Sequence, residues 1–447
     1  MHQLLKRARL LNVAIFSGAL AATATVSLLT PVLSSSVHAA LENSPKAILD
    51  EAWQIVNREY VDTTFNQTDW LAARQELLGS SYSSQAEAYA ALRRVLQRLE
   101  DPYTRFMDPS QYEALTNQTT GELSGVGIRL QADEKTGEIT VVEPIPNSPA
   151  STAGIRVGDR ILSIDGATTE GMNIEDASSR IRGDVGTQIV LRLQRPDTES
   201  FDLTLTRARI ELPNVRSSLK QEQGARIGYI RLSEFSSHAA DQMRRAIENL
   251  LTQRVDGFVL DLRGNPGGLL QASIEISRMW LPDGAIVKTV DRNGASEEIL
   301  ANNSALTKLP LVVLVDGNSA SSSEILTGAL KDNRRAAVVG SQTFGKALVQ
   351  SVHSLSDGSG LAVTIAHYYT PNGTDISHLG IAPDVRIDLT DSDRQRLSST
   401  PNSLASQADP QYVQAVAVLQ SRIAEVRSPG VSRRASATQT QAPVPQN

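Results

Sequence analysis

Apolar positions along the chain change their period between three regions. From about residue 44 to 116 the spacing is helical, with Leu49, Ala52, Trp53, Val56 and Tyr60 on one face. A second helix is expected from Ser84, where Glu87 three residues on makes a capping box. It carries Ala88, Leu92, Val95, Leu96 and Leu99 before Asp101-Pro102 ends it. From about Gly121 to Arg207 short β-rich runs, such as residues 139–142 and 189–193, are punctuated by Gly125, Gly127, Gly154, Gly158, Gly166, Gly183 and Gly186. That pattern predicts one small β-dominated domain. Beyond Ile210 strands expected at 227–232, 258–262, 311–315 and 336–339 alternate with helices near 239–251, 268–281 and 321–330. Such alternation predicts an α/β core with helices packed on a sheet. A last helix is expected near 412–426, and residues 428–447, rich in Ser, Thr, Gln, Pro and Ala, read as disordered.

The first 39 residues read as a signal peptide rather than as fold. Lys6, Arg7 and Arg9 precede an apolar stretch, and Val37-His38-Ala39 offers small residues for cleavage. An uncleaved membrane anchor is the competing reading, because the stretch is long enough to span. Cleavage is favoured, since Thr23, Thr25, Ser27 and Pro31 dilute the apolar run. The expected working compartment is therefore outside the cytoplasm.

Composition narrows the chemistry. A net charge of −6 and an aromatic content of 4% argue against nucleic-acid partners. With no cysteine, disulfides, thiolate metal sites and a thiol nucleophile are excluded.

Residues 311–325 read as a buried strand, a tight turn and a serine cluster opening a helix. Free N–H groups at a helix start suit a developing oxyanion, so a serine there is well placed as a nucleophile. Ser321 with Glu324 is equally a plain capping box. A base is also needed, and His238, His353, His367 and His378 sit in no recognisable catalytic frame. Lys346 is the other candidate, able to serve if its apolar flanks Phe344, Leu348 and Val349 favour the neutral amine. Residues 340–346 also match a phosphate-binding Gly-x-x-x-x-Gly-Lys loop. That nucleotidase reading is disfavoured, because Ala347 cannot ligate a metal and a strand rather than a helix follows.

Taken in order, several motifs resemble the carboxyl-terminal processing peptidases, serine proteases with a PDZ domain and a Ser–Lys dyad. They are Asp101-Pro-Tyr-Thr-Arg-Phe-Met107, Gly125-Val-Gly-Ile128, Ser148-Pro-Ala-Ser-Thr-Ala-Gly-Ile-Arg-Val-Gly-Asp159, Asp261-Leu-Arg-Gly-Asn-Pro-Gly-Gly268, Ser319-Ala-Ser-Ser-Ser-Glu324 and Phe344-Gly-Lys346. The resemblance runs from about residue 46 to 390. Joined to the residue patterns at the two ends of the chain, it implies an α/β multidomain protein with no metal or other cofactor: a signal peptide (1–39), an N-terminal helical region (40–116), a PDZ domain (117–208), a ClpP/crotonase-like serine protease core (209–390), and a C-terminal helix with a tail (391–447). Ser321 would be the nucleophile, Lys346 the general base and Gln350 the group that orients the lysine. Gly267 and Ser322 would give the oxyanion N–H groups, and Gly125, Val126, Gly127 and Ile128 the loop that holds a peptide carboxylate. Two positions depart from the family habit, Ser322 for Ala and Ala347 for Gly. The implied partners are protein substrates with apolar C-termini, with a membrane protein among the candidates. The N-terminal helix looks like the photosynthetic branch, which trims a photosystem II reaction-centre precursor in the thylakoid lumen or periplasm. Arg182 is a candidate for coupling the PDZ domain to the core. An inactive PDZ scaffold is the alternative function.

Overall fold

The computed structural model describes residues 45–133, 136–400 and 403–427. The expected signal peptide and the polar tail after residue 427 lie outside the described residues. Three helices come first: α1 (Pro45–Glu59), α2 (Trp70–Gly79) and α3 (Gln85–Gln97). The expected apolar face of α1 is buried through Leu49, Ala52, Trp53 and Val56, against Leu92, Val95 and Leu96 of α3. Ser84 caps α3 by accepting from the Glu87 N–H at 3.2 Å, whereas the Glu87 carboxylate reaches Ser83 instead of completing the box. A stack of Trp53, Trp70 and Phe65 closes the layer, with centroids 6.3 and 5.3 Å apart. Residues 101–104 then lead into β1 (Arg105–Met107) and α4 (Pro109–Thr120), which ends on left-handed Gly121.

The next segment is β-rich, as its glycines imply. Its strands are β2 (Glu122–Gly125), β3 (Ile128–Ala132), β4 (Ile139–Pro144), β5 (Arg160–Ile164), β6 (Ala167–Thr168), β7 (Gln188–Gln194), β8 (Phe201–Thr206) and β9 (Ala208–Glu211). Two helices punctuate them, α5 (Pro149–Thr152) and α6 (Ile174–Ile181). Strands β3, β4, β5, β7 and β8 form one sheet in that order, with β6 on β5. Along β7 Ile189, Leu191 and Leu193 alternate inward with exposed neighbours, the period-two signature of a half-buried strand. Strands β2 and β9 pair only with each other and form a ribbon at the base of the unit.

Beyond it lie β10 (Val215–Glu222), β11 (Ala225–Leu232), α7 (Ala239–Thr252), β12 (Gly257–Asp261), α8 (Leu270–Trp280), β13 (Ala285–Asp291), β14 (Ser296–Leu300), β15 (Leu311–Val315) and α9 (Ser322–Asp332). Then follow β16 (Ala337–Gly340), β17 (Leu348–Ser354), β18 (Gly360–Tyr369), β19 (Val385–Arg386), α10 (Asp391–Ser399) and α11 (Pro410–Arg427). A six-stranded sheet runs β10-β11-β12-β15-β16-β19, parallel apart from the β10–β11 hairpin. Every residue of β12 and β15 is buried, as parallel strands covered on both faces require. Phe258, Leu260, Leu311 and Val313 pack with α7, α8 and α9. Val259, Val312 and Leu314 turn the other way, toward Tyr412, Ala415 and Leu419 of α11. The expected α/β core is therefore present.

A second sheet was not expected beyond a strand after Lys346. It joins β1, β18, β13 and β14, with β17 on the other edge of β18. Through Leu361 and Val363 of β18 it carries the α1–α3 layer on its face.

Candidate active site

The strand β15 ends in Asp316-Gly-Asn-Ser-Ala-Ser321, which turns the chain into α9. Within the serine cluster most hydroxyls are committed to buried carbonyls. Ser319 Oγ donates to Leu262 O at 2.8 Å, Ser322 Oγ to Gly268 O at 2.9 Å and Ser323 Oγ to Asn265 O at 3.0 Å. Ser321 is partly exposed, and its hydroxyl donates to no group among the described residues. Its backbone has φ 53° and ψ −114°, a conformation that costs a non-glycine residue of order 1–3 kcal/mol. The turn brings it against the glycine loop after β12: a Cβ built on Gly267 would lie 2.9 Å from Ser321 Cβ.

One buried carboxylate joins Ser321 to Lys346. Glu324 Oε2 accepts the N–H groups of both residues at 2.9 Å, and Oε1 accepts Gly345 N–H at 2.7 Å and Thr343 Oγ1 at 2.6 Å. Burial raises the Glu324 pKa, against those four hydrogen bonds. The glutamate half of the expected capping box is thus present, but it also fixes the lysine loop. On the carbonyl side, the hydroxyl of Tyr368 in β18 meets Ser321 O at 3.2 Å and also contacts Lys346 O. Gly345 has φ 91°, and a Cβ there would sit 2.8 Å from Gly380 N, so only glycine fits before the lysine.

Burial lowers the Lys346 pKa, with Arg105 adding to the effect while Asp101 and Glu324 oppose it. Its ammonium lies over the ring of Tyr103, with Nζ 4.3 Å from the centroid. No hydrogen bond joins Nζ to Ser321 Oγ in this arrangement.

Two expected contacts are absent. Gln350 does not reach Lys346; its Nε2 donates to Thr364 Oγ1, its cross-strand partner, at 3.3 Å. Lys346 lies in the loop before β17, whereas Gln350 lies within the strand, where a register shift at Val349/Gln350 interrupts the ladder. Thr364 Oγ1 passes the connection on to Asp101 Oδ2 at 2.6 Å. Nor is the Gly267 N–H free, since Asn265 Oδ1 accepts it at 2.9 Å. The N–H groups of Ser322 and Gly268 have no partner among the described residues.

A groove lies in the β-rich unit between β3 and α6, lined by Gly125, Val126, Gly127, Ile128, Ile181 and Arg182. Gly127 has φ 81°, and a Cβ there would stand 2.2 Å from Ser148 Cβ. The carbonyls of Val126 and Gly127 are tied to Ala150 N–H and Ile145 N–H, both at 2.9 Å, whereas their own N–H groups are unpaired among the described residues. The loop therefore presents donors and withholds acceptors, which suits a carboxylate. Arg182, expected to couple the two units, lines this groove.

Comparison with known proteins agrees with this anatomy. The Peptidase family S41 pattern matches residues 226–387, and a PDZ domain pattern matches residues 140–195. The carboxyl-terminal-processing protease of Synechocystis sp. (strain ATCC 27184 / PCC 6803 / Kazusa) is 43% identical over 86% of this chain and 91% of that protein. The chain belongs to the carboxyl-terminal-processing proteases. Carboxyl-terminal-processing peptidase 2, chloroplastic, of Arabidopsis thaliana is 39% identical over 81% of this chain and 74% of its own length. A solved photosystem II D1 C-terminal processing protease, 37% identical, superimposes with a TM-score of 0.52 over 83% of this chain and 100% of that one. This processing protease is accordingly a serine-type peptidase with a PDZ domain, and proteins are its substrates. The sequence assigned no role to Tyr103 or Tyr368, and to Glu324 only that of a helix cap. For Tyr103 a signal existed in the Asp101–Met107 motif; for Tyr368 none did, because its partners are backbone carbonyls.

Proposed function

We propose that this protease cuts near the C-terminus of its substrates with Ser321 as nucleophile and Lys346 as general base. What carries the reading is the Glu324 carboxylate, which holds both backbones on one oxygen while leaving the Ser321 hydroxyl unspent. Ser321 Oγ attacks the scissile carbonyl and forms the C–O bond as neutral Lys346 takes its proton. The ammonium then protonates the departing amine, and water releases the acyl-enzyme with the lysine again as base. Ser322 N–H is one oxyanion donor, and the Gly267–Gly268 turn supplies the second. Residues 117–208 present the substrate: its terminal carboxylate binds the N–H groups of the Gly125–Ile128 loop, and apolar neighbours select an uncharged last residue. Residues 209–390 do the chemistry.

Likeness to a D1 processing protease and to cyanobacterial and chloroplastic relatives supports a photosystem II reaction-centre precursor as substrate. The same likeness supports a periplasmic or thylakoid-lumenal site of action. Among the described residues no helix is long and apolar enough to cross a membrane.

The test is cleavage of an unstructured protein with an apolar C-terminus by the chain from Ala40 onward. Ser321→Ala and Lys346→Ala abolish cleavage, Ser322→Ala retains it, and a charged terminal residue weakens it. The rate climbs with pH as Lys346 loses its proton, with a midpoint below the ordinary lysine value of 10.5. Cleavage by Ser321→Ala refutes the assignment.

A further inference from the structure

Lys346 carries its charge in an unusual setting. Its ammonium donates no hydrogen bond among the described residues, and the contact it makes is with the face of Tyr103, 4.3 Å from the centroid. That ring comes from outside the α/β core, on the segment that leads from the helical layer into β1. The segment is anchored without help from the ring. Asp101 Oδ1 accepts Tyr103 N–H at 2.9 Å, and Asp101 Oδ2 accepts the hydroxyls of Thr104 at 2.7 Å and Thr364 at 2.6 Å.

The charged groups facing the lysine come from three places. Arg105 at the start of β1 opposes its charge, while Asp101 before β1 and Glu324 in α9 favour it. Burial, the largest influence, disfavours the ammonium. Against burial, an aromatic face attracts a cation and gives a neutral amine no comparable attraction. Proton abstraction from Ser321 needs the opposite condition, an uncharged amine turned toward Oγ. The arrangement thus separates two places for one side chain, one suited to each protonation state.

We propose that Tyr103 is a positioning residue of the dyad, its ring being the seat on which the Lys346 ammonium rests until it gives up its proton and turns to Ser321. This rests on the Ser321–Lys346 reading above. The tyrosine itself stays neutral throughout, because burial and the nearby Asp101 and Glu324 carboxylates raise its pKa.

Two substitutions separate the seat from simple space-filling. Tyr103→Phe keeps the ring face; Tyr103→Leu keeps apolar bulk and loses the face. The first measurement is the pH dependence of Lys346 acylation by an amine-directed reagent, read by peptide mass spectrometry on the chain from Ala40. Tyr103→Leu lowers its midpoint by about half to one pH unit, and Tyr103→Phe leaves it in place. The rising limb of kcat/KM moves down with it, so at neutral pH Tyr103→Leu cleaves about three- to tenfold faster. Equal behaviour of the two variants overturns the proposal. So does a Tyr103→Leu variant that loses activity evenly at every pH with its midpoint unmoved. A shift in labelling without a shift in cleavage overturns Lys346 as the base and leaves the seat standing.

Discussion

At the residue scale, Glu324 shows how a buried charge can be made useful. Four donors converge on its two oxygens, and they belong to Ser321, Thr343, Gly345 and Lys346. An amide in its place accepts through one oxygen and turns the other contacts into donor facing donor. Each buried group left unpaired costs about 1–3 kcal/mol. Glu324→Gln therefore lowers the thermal midpoint, and kcat falls by about 10²-fold as the proposed Ser321–Lys346 dyad loses register; a melt and steady-state kinetics on the same preparation check both. This role was half legible in the sequence. The spacing of Ser321 and Glu324 announces a helix cap, but Thr343, Gly345 and Lys346 arrive from a loop that no local pattern connects to it. The place of Gln350 was not legible either, because its partner here, Thr364, comes from the neighbouring strand of a sheet with no local signal.

At the scale of elements, the legible part is the layer whose apolar runs fill both faces. Strand β15 occupies the expected 311–315, and α7, α8, α9 and α11 lie where periodicity puts them. The second sheet escaped notice because β14 and β17 leave most side chains half or fully exposed, and so show neither an apolar run nor a clean alternation. Another bond between elements was equally hidden. Arg263, after β12, makes paired contacts with Asp261 at 3.0 and 2.7 Å and with Asp409, ahead of α11, at 3.0 and 2.8 Å. Burial works against charge on Arg263 and Asp261, yet their attraction wins, raising the arginine and lowering the aspartate pKa. Arg263→Ala strands two buried carboxylates. Unfolding in urea is expected to show a loss of about 3–5 kcal/mol, whereas an exposed control such as Arg58→Ala shows almost none.

At the scale of the whole molecule, one of the contacts between the PDZ unit and the core is an exposed ion pair, alongside His238 of the core meeting Glu122 of β2 at 2.9 Å. Arg216 in β10 donates to both oxygens of Glu143 in β4, at 3.1 and 2.8 Å. Both side chains keep substantial exposure, 47% and 32%, so the pair is worth no more than about 1 kcal/mol. Glu143→Gln is therefore expected to change the cleavage rate by no more than about fivefold. That difference disappears as salt is raised toward 1 M, which a salt titration of both proteins measures. A larger, salt-insensitive effect would mean that the contact is a structural joint rather than a weak tether.

The ribbon of β2 and β9 has a consequence for the history of such chains. The polypeptide leaves the enzyme at Gly121 and returns at Leu212, whose N–H is bonded back to the Gly121 carbonyl at 2.8 Å. Departure and return are thus the two halves of a single peptide contact. A module threaded this way can be acquired, exchanged or deleted as a cassette, because closing the gap behind it demands no rerouting of the catalytic layers. The choice of what to cut and the power to cut it can then diverge separately.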